Sequence, residues 1–150
     1  MKKHLIPALC LVWLSAWLSP TYAATDSALA STGEYLAKAG DCAACHTAPG
    51  GKPFAGGLKM VTPMGAIYST NITPDRNSGI GRYSEAEFIR AVRGGVAQDG
   101  HRLYPAMPFP SYAKISDEDM HALYTWFMQD VPAVAQSNIP SDIPWPLSMR

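Results

Sequence analysis

The chain has 150 residues, 47% of them hydrophobic and 16% charged, the size and balance of one ordinary folded domain and not of a disordered or acidic-tailed protein. Lys+Arg 12 against Asp+Glu 12 leaves no basic excess to follow a phosphate backbone, so no nucleic-acid partner is expected. Gly 12 and Pro 13 demand long irregular stretches, a weak base for a large core made of protein alone.

Lys2, Lys3 and His4 form a basic opening, Leu5 to Leu18 is apolar and uncharged, and small Thr21 and Ala23 follow at the spacing of a cleavage site. This is the pattern of a secretory signal peptide. The run falls short of the roughly 20 residues that span a bilayer. The expectation is therefore a signal peptide at 1–23, a periplasmic protein from Ala24, and a membrane anchor only if that segment stays uncleaved. Cleavage would remove Lys2, Lys3 and Cys10 and leave 10 basic residues against 12 acidic ones.

The next element is a helix over Ser31 to Ala39, with Ser31 and Glu34 at capping-box spacing and Gly40 as its stop. Cys42-Ala43-Ala44-Cys45-His46 follows at once. Cys-x-x-Cys-His is the attachment signal for a c-type haem. On one helical turn the residues i and i+3 share a face, so both thiols reach one porphyrin edge. His46, the next residue, swings its imidazole under the iron as proximal ligand. A thioredoxin-like use would need a βαβ context, which the flanks lack. A zinc site would need further ligands, and His101 and His121 stand far along the chain without paired spacing.

From Thr47 to Tyr83 no period is sustained. A loop of that length argues against an ordinary compact domain, but a porphyrin can serve as the core on which it packs. Ser84 to Arg93 reads as a helix opened by a Ser84–Glu87 capping box and closed by Gly94-Gly95. Leu103-Tyr104-Pro105-Ala106-Met107-Pro108-Phe109-Pro110 is a stiff loop, since three prolines fix φ. Asp117 to Gln129 reads as a helix capped at Ser116, with Met120, Leu123, Tyr124 and Phe127 as its apolar stripe. Pro132, Pro140, Pro144 and Pro146 then mark 132–150 as a tail or linker.

A second axial ligand has several candidates. Met107 sits on the stiff loop that such a ligand requires. Met60 and Met64 follow His46 closely, His101 competes from the Asp99-Gly100 turn, Met120 and Met128 have helical packing spacing, and Met149 lies at the chain's end.

Gly33-x-Tyr35-Leu36, Asp41 to Thr47 and a late helix bearing Leu123 and Tyr124 resemble a class I cytochrome c. More narrowly, three phrases resemble the cytochrome c subunits of bacterial membrane-bound alcohol, sorbitol and gluconate dehydrogenases. They are Ser69-Thr70-Asn71-Ile72-Thr73-Pro74-Asp75, Gly79-Ile80-Gly81 and Leu103-Tyr104-Pro105-Ala106-Met107-Pro108. The resemblance implies an all-α class I fold, three to five helices with long loops wrapped around one covalent haem c, over a domain at 24–131. It implies attachment at Cys42 and Cys45 with His46 and Met107 as axial ligands.

The function it implies is that of a periplasmic monohaem electron carrier, not an enzyme in itself and without catalytic residues. Its redox partners would be a dehydrogenase donor, of alcohol, sugar or sugar-acid type, and a respiratory acceptor. Membrane contact would come only through an uncleaved signal segment or a partner subunit. Those subunits usually string three haem domains together, whereas this chain has one Cys-x-x-Cys-His. Its last residues, from Ile143, resemble the start of their linker, as in a one-domain relative or a shortened gene. Quinone reduction therefore does not carry over. The rival reading is a haem enzyme or gas-binding protein with an open sixth position flanked by His101 or Tyr104. A structural haem module that docks a larger partner is the other.

Overall fold

The computed structural model describes residues 21–148, the side chains of 21–26 apart. The described chain is mostly helical. Helix α1 spans Thr21–Ala39, α2 is the single turn Cys42–His46, α3 spans Glu85–Gly94, α4 is Phe109–Tyr112 and α5 spans Asp117–Gln129. Between α2 and α3, strands β1 (Lys59–Thr62) and β2 (Gly65–Tyr68) pair antiparallel, with Met60 opposite Ile67.

The capping signals place two helices closely. Ser84 accepts from the Glu87 amide while the Glu87 carboxylate accepts from the Ser84 amide, and α3 starts there. Ser116 accepts from the Asp119 amide at 3.1 Å and opens α5. Helix α1 departs from its expected start. It begins at Thr21, because Ala-rich residues ahead of Ser31 are good helix formers. The Ser31 hydroxyl donates back to the Ala28 carbonyl at 2.9 Å and Glu34 pairs with Lys38, so no capping box forms there. Thr21 to Ala23 of the expected signal peptide thus belong to α1, and the rest of that segment lies outside the described residues.

Helices α1 and α5 cross at Gly33. A Cβ there would stand 2.3 Å from the Ala122 carbonyl oxygen and 2.4 Å from the Trp126 Cβ, so only glycine lets the backbones approach this closely. Met120 and Phe127 are fully buried at the centre, joined by Ala37, Ile80, Phe88, Leu123 and Val131. Phe54, from the irregular stretch, meets Trp126 and Phe127 edge-on with ring centroids at 5.6 and 5.4 Å. Loop and helix thus share one core.

From 132 to 144 the chain is extended, as its prolines favour, and it is fastened to the domain. Asn71, 2% exposed, donates through Nδ2 to the Val134 and Gln136 carbonyls at 2.8 and 3.1 Å. Its Oδ1 accepts from the Thr73 amide and hydroxyl at 2.9 and 2.7 Å. Gln136 Nε2 donates to the Ala55 carbonyl at 2.9 Å. Ala66 and Asp142 exchange both backbone bonds, which adds a third edge to the hairpin. The Asp75 carboxylate accepts from the Asn77 amide and from the amide and hydroxyl of Ser78. Gly79 packs so tightly under this turn that a Cβ would lie 2.1 Å from the Thr73 carbonyl oxygen.

Candidate haem site

A cleft of about 460 Å³ opens between the helices and the irregular stretch, within the size range of cofactor sites. Leu36, Phe88, Val92, Leu123 and Phe127 line it from α1, α3 and α5, Ile67 lines it from β2, and Ile72 and Ile80 line it from the loops. Cys42, Cys45 and His46 stand along it on the one turn of α2. Asp41, at φ 54, makes the sharp entry that turns the chain from α1 into that turn.

Both thiols are free. Burial pushes the Cys42 thiol up to about 11, a backbone hydrogen bond partly offsets this, and nearby Asp41 and Cys45 add to it. The His46 Nδ1–H donates to the Thr70 carbonyl at 2.7 Å. Burial holds the His46 pKa below its ordinary value, with the Thr70 bond acting in the opposite direction. In the neutral imidazole the carbonyl partner keeps the proton on Nδ1, which leaves the Nε2 lone pair as the one for iron.

Met107 lines the same cleft. Its amide donates to the Tyr104 carbonyl at 3.3 Å, and its carbonyl accepts from the Phe109 amide at 2.8 Å. The Tyr112 hydroxyl donates to the Gly40 carbonyl at 2.8 Å, which ties α4, just after Met107, to the junction before Cys42. Met60 and His101 also reach the cleft. His101 is engaged through Nδ1 with Asp99 at 2.5 Å. Met64 is 54% exposed, Met120 is fully buried in the core and Met128 packs against that core, all three away from the cleft. Met149 lies outside the described residues.

Thr70, Asn71 and Tyr112 escaped the sequence reading as site residues. The signal for the first two was present, because they stand in the Ser69 to Asp75 phrase that carries the family resemblance.

The donor set fits a covalently held haem. Two thiols and an imidazole on one turn edge an apolar cleft, and the imidazole is already in the tautomer a metal takes. Zinc finds no ligand set: among the described residues, no group of three or more His, Cys, Asp or Glu side chains is arranged to hold an ion. No described helix is long and apolar enough to cross a membrane.

Fold and cleft together define a small helical domain of the c-type haem class. Residues 30–129 match the cytochrome c family, and the chain belongs to that family. Membership implies a covalently bound haem c. The chain is 66% identical over 125 residues to the gluconate 2-dehydrogenase cytochrome c subunit of Pantoea cypripedii, covering 83% of this chain and 28% of that protein. It is 58% identical over 125 residues to the cytochrome c subunit of the quinone alcohol dehydrogenase of Gluconacetobacter polyoxogenes, covering 83% and 27%. It is also 46% identical over 132 residues to the fructose dehydrogenase cytochrome subunit of Gluconobacter japonicus, covering 87% and 27%. The chain thus spans about a quarter of the length of these relatives.

Proposed function

We propose that this chain is a periplasmic monohaem cytochrome c that accepts single electrons from an alcohol, sugar or sugar-acid dehydrogenase and passes them toward a respiratory acceptor. In this reading export removes 1–23, Cys42 and Cys45 hold the haem, and His46 and Met107 fill the two axial positions. The domain comprises 24–131, with 132–150 as the segment that follows it. The bound group supplies a one-electron iron couple. The residues of the chain bind it, orient its proximal ligand and keep water away. With both axial positions filled there is no place for a substrate at the metal, so the chain has no catalytic residues of its own.

The observation that carries the proposal is the convergence in one apolar cleft of Cys42, Cys45, His46 and Met107, drawn from segments some sixty residues apart. A soft thioether favours Fe(II), and an apolar surround disfavours the extra charge of Fe(III), so the arrangement suits a carrier of raised potential.

The test is the exported protein itself. Its intact mass should equal the sequence from Ala24 plus one haem, its ferric spectrum should be low-spin, and a quinone-type alcohol or gluconate dehydrogenase should reduce it in stopped flow. An unmodified mass would end the cytochrome reading. A high-spin spectrum would favour the gas-binding or haem-enzyme alternative, for which His101 stands in the same cleft.

A further inference from the structure

We infer that Asn138, in the segment beyond the last helix, is a positioning residue that tunes the iron through the Thr70–Asn71 peptide and His46. The inference rests on the proposal that His46 is the proximal ligand.

His46 Nδ1–H donates to the Thr70 carbonyl at 2.7 Å. The Asn71 amide donates to Asn138 Oδ1, also at 2.7 Å. That carbonyl and that N–H are the two ends of one peptide group, which conjugation makes a single polarisable unit. An acceptor on the N–H draws electron density onto the carbonyl oxygen and makes it the stronger acceptor, the cooperative effect of a hydrogen-bond chain. Both bonds lie at the short end of the N–H···O range.

The unit is also held still. The Gly56 backbone lies against it so closely that a Cβ would stand 2.4 Å from the Thr70 carbonyl carbon and 2.6 Å from the Asn71 nitrogen. The Gly56 amide itself donates to the His46 carbonyl at 2.8 Å. The Asn138 amide has a defined orientation, because its Nδ2 donates to the Ser78 carbonyl at 2.9 Å. A stronger bond at Nδ1–H makes the imidazole a better electron donor, which favours the ferric state and lowers the potential. Asn138 therefore sets how far the proximal ligand pushes.

Asn138 also borders the cleft, so a change of potential alone does not identify the relay. The imidazole proton does. The experiment compares reduced holoprotein carrying the native sequence, Asn138→Ala, Asn138→Asp and Gln136→Ala, by electrochemical titration and by the nitrogen-coupled NMR resonance of the His46 Nδ1 proton. Asn138→Ala should raise the potential, shift that resonance upfield and speed its exchange with solvent. Asn138→Asp, which keeps an acceptor and strengthens it, should move both readouts the other way, and reads the relay even where the alanine variant does not fold. Gln136→Ala loses the bond to Ala55 and loosens the same segment, so it should lower the melting temperature while leaving both readouts in place.

An unmoved Nδ1 resonance in the Asn138 variants, or an equal movement in Gln136→Ala, would overturn the relay alone. A native protein without a low-spin c-type spectrum would overturn the ligand reading and the relay with it.

Discussion

On the proposed ligation, Met107 and Asp75 divide the work of single side chains between redox chemistry and fold. Met107→Ala should retain the haem mass, because thioethers to Cys42 and Cys45 do not depend on the far ligand. Its potential should fall, since water or a nitrogen ligand stabilises Fe(III) better than a thioether does. Its weak red absorption band should vanish, and cyanide should bind faster through the vacated position. An unchanged spectrum and potential would move the search to Met60 or His101, the other donors that reach the cleft. Asp75 acts on the fold through the turn it closes. Its carboxyl is held below the ordinary value of 3.8, first by the Ser78 hydroxyl and then by the Ser78 and Asn77 amides. A carboxyl depressed in the folded state adds stability that is present above its ordinary value and lost as pH falls through that value toward the folded one. Melting temperature should therefore decline more shallowly below about pH 4 in Asp75→Asn than in the native protein, with the variant the less stable of the two at neutral pH.

At the scale of elements, the crossing of α1 over α5 depends on one missing methyl group. Gly33→Ala places a Cβ 2.3 Å from a backbone carbonyl that cannot move aside, so the helices must separate at a cost of about 1–3 kcal/mol. Gly94, at the end of α3, faces open space, and Gly94→Ala should be neutral or stabilising by up to about 1 kcal/mol. Denaturant unfolding of the two variants side by side checks both values. Helices α3 and α5 were legible because their starting signals are local: Ser84 with Glu87 and Ser116 with Asp119 lie within one turn. The hairpin was not legible. Its strands are four residues each and only half-buried, too short to show alternation, and a two-stranded hairpin has little stability by itself. What supports it is Asp142, which pairs with Ala66 and is invisible to any local window. The start of α1 was missed for a different reason: Ser31 and Glu34 stand at capping-box spacing, yet Ser31 bonds back to Ala28 within a helix that already runs from Thr21.

Across the whole molecule, the haem motif was readable in five adjacent residues, whereas the wall that completes its cleft was not. Asn138, Ile139, Pro140 and Ser141 all line the cleft, yet the prolines and polar residues of 132–150 read as a linker because the partners of this wall are distant in sequence. A chain stopped after Val131 tests how much that wall contributes. It removes the Val134, Gln136 and Asn138 partners of Asn71 and opens that residue to water, so each lost bond costs about 0.5–1.5 kcal/mol. Hydrogen exchange on the haem-loaded truncated protein should show lost protection from Ser69 to Asp75, with α1 and α5 still protected. A protection pattern equal to that of the full chain would make the segment a mere follower of the domain.

The same clasp sets an order of events. A chain that emerges from the ribosome or through a membrane pore arrives beginning with its first residues, so Cys42 to His46 are presented long before their closing wall. Asn71 meets its partners only after 63 to 67 further residues have appeared. Closing so long a loop costs little more than closing one of half the length, so the wait is one of arrival and not of energy. Until then the cleft lacks the side formed by Asn138 to Ser141, and on the proposed haem binding that interval is the one in which the group would enter. The stretch beyond α5 then works as a latch, because the residues it holds are already in place when it arrives.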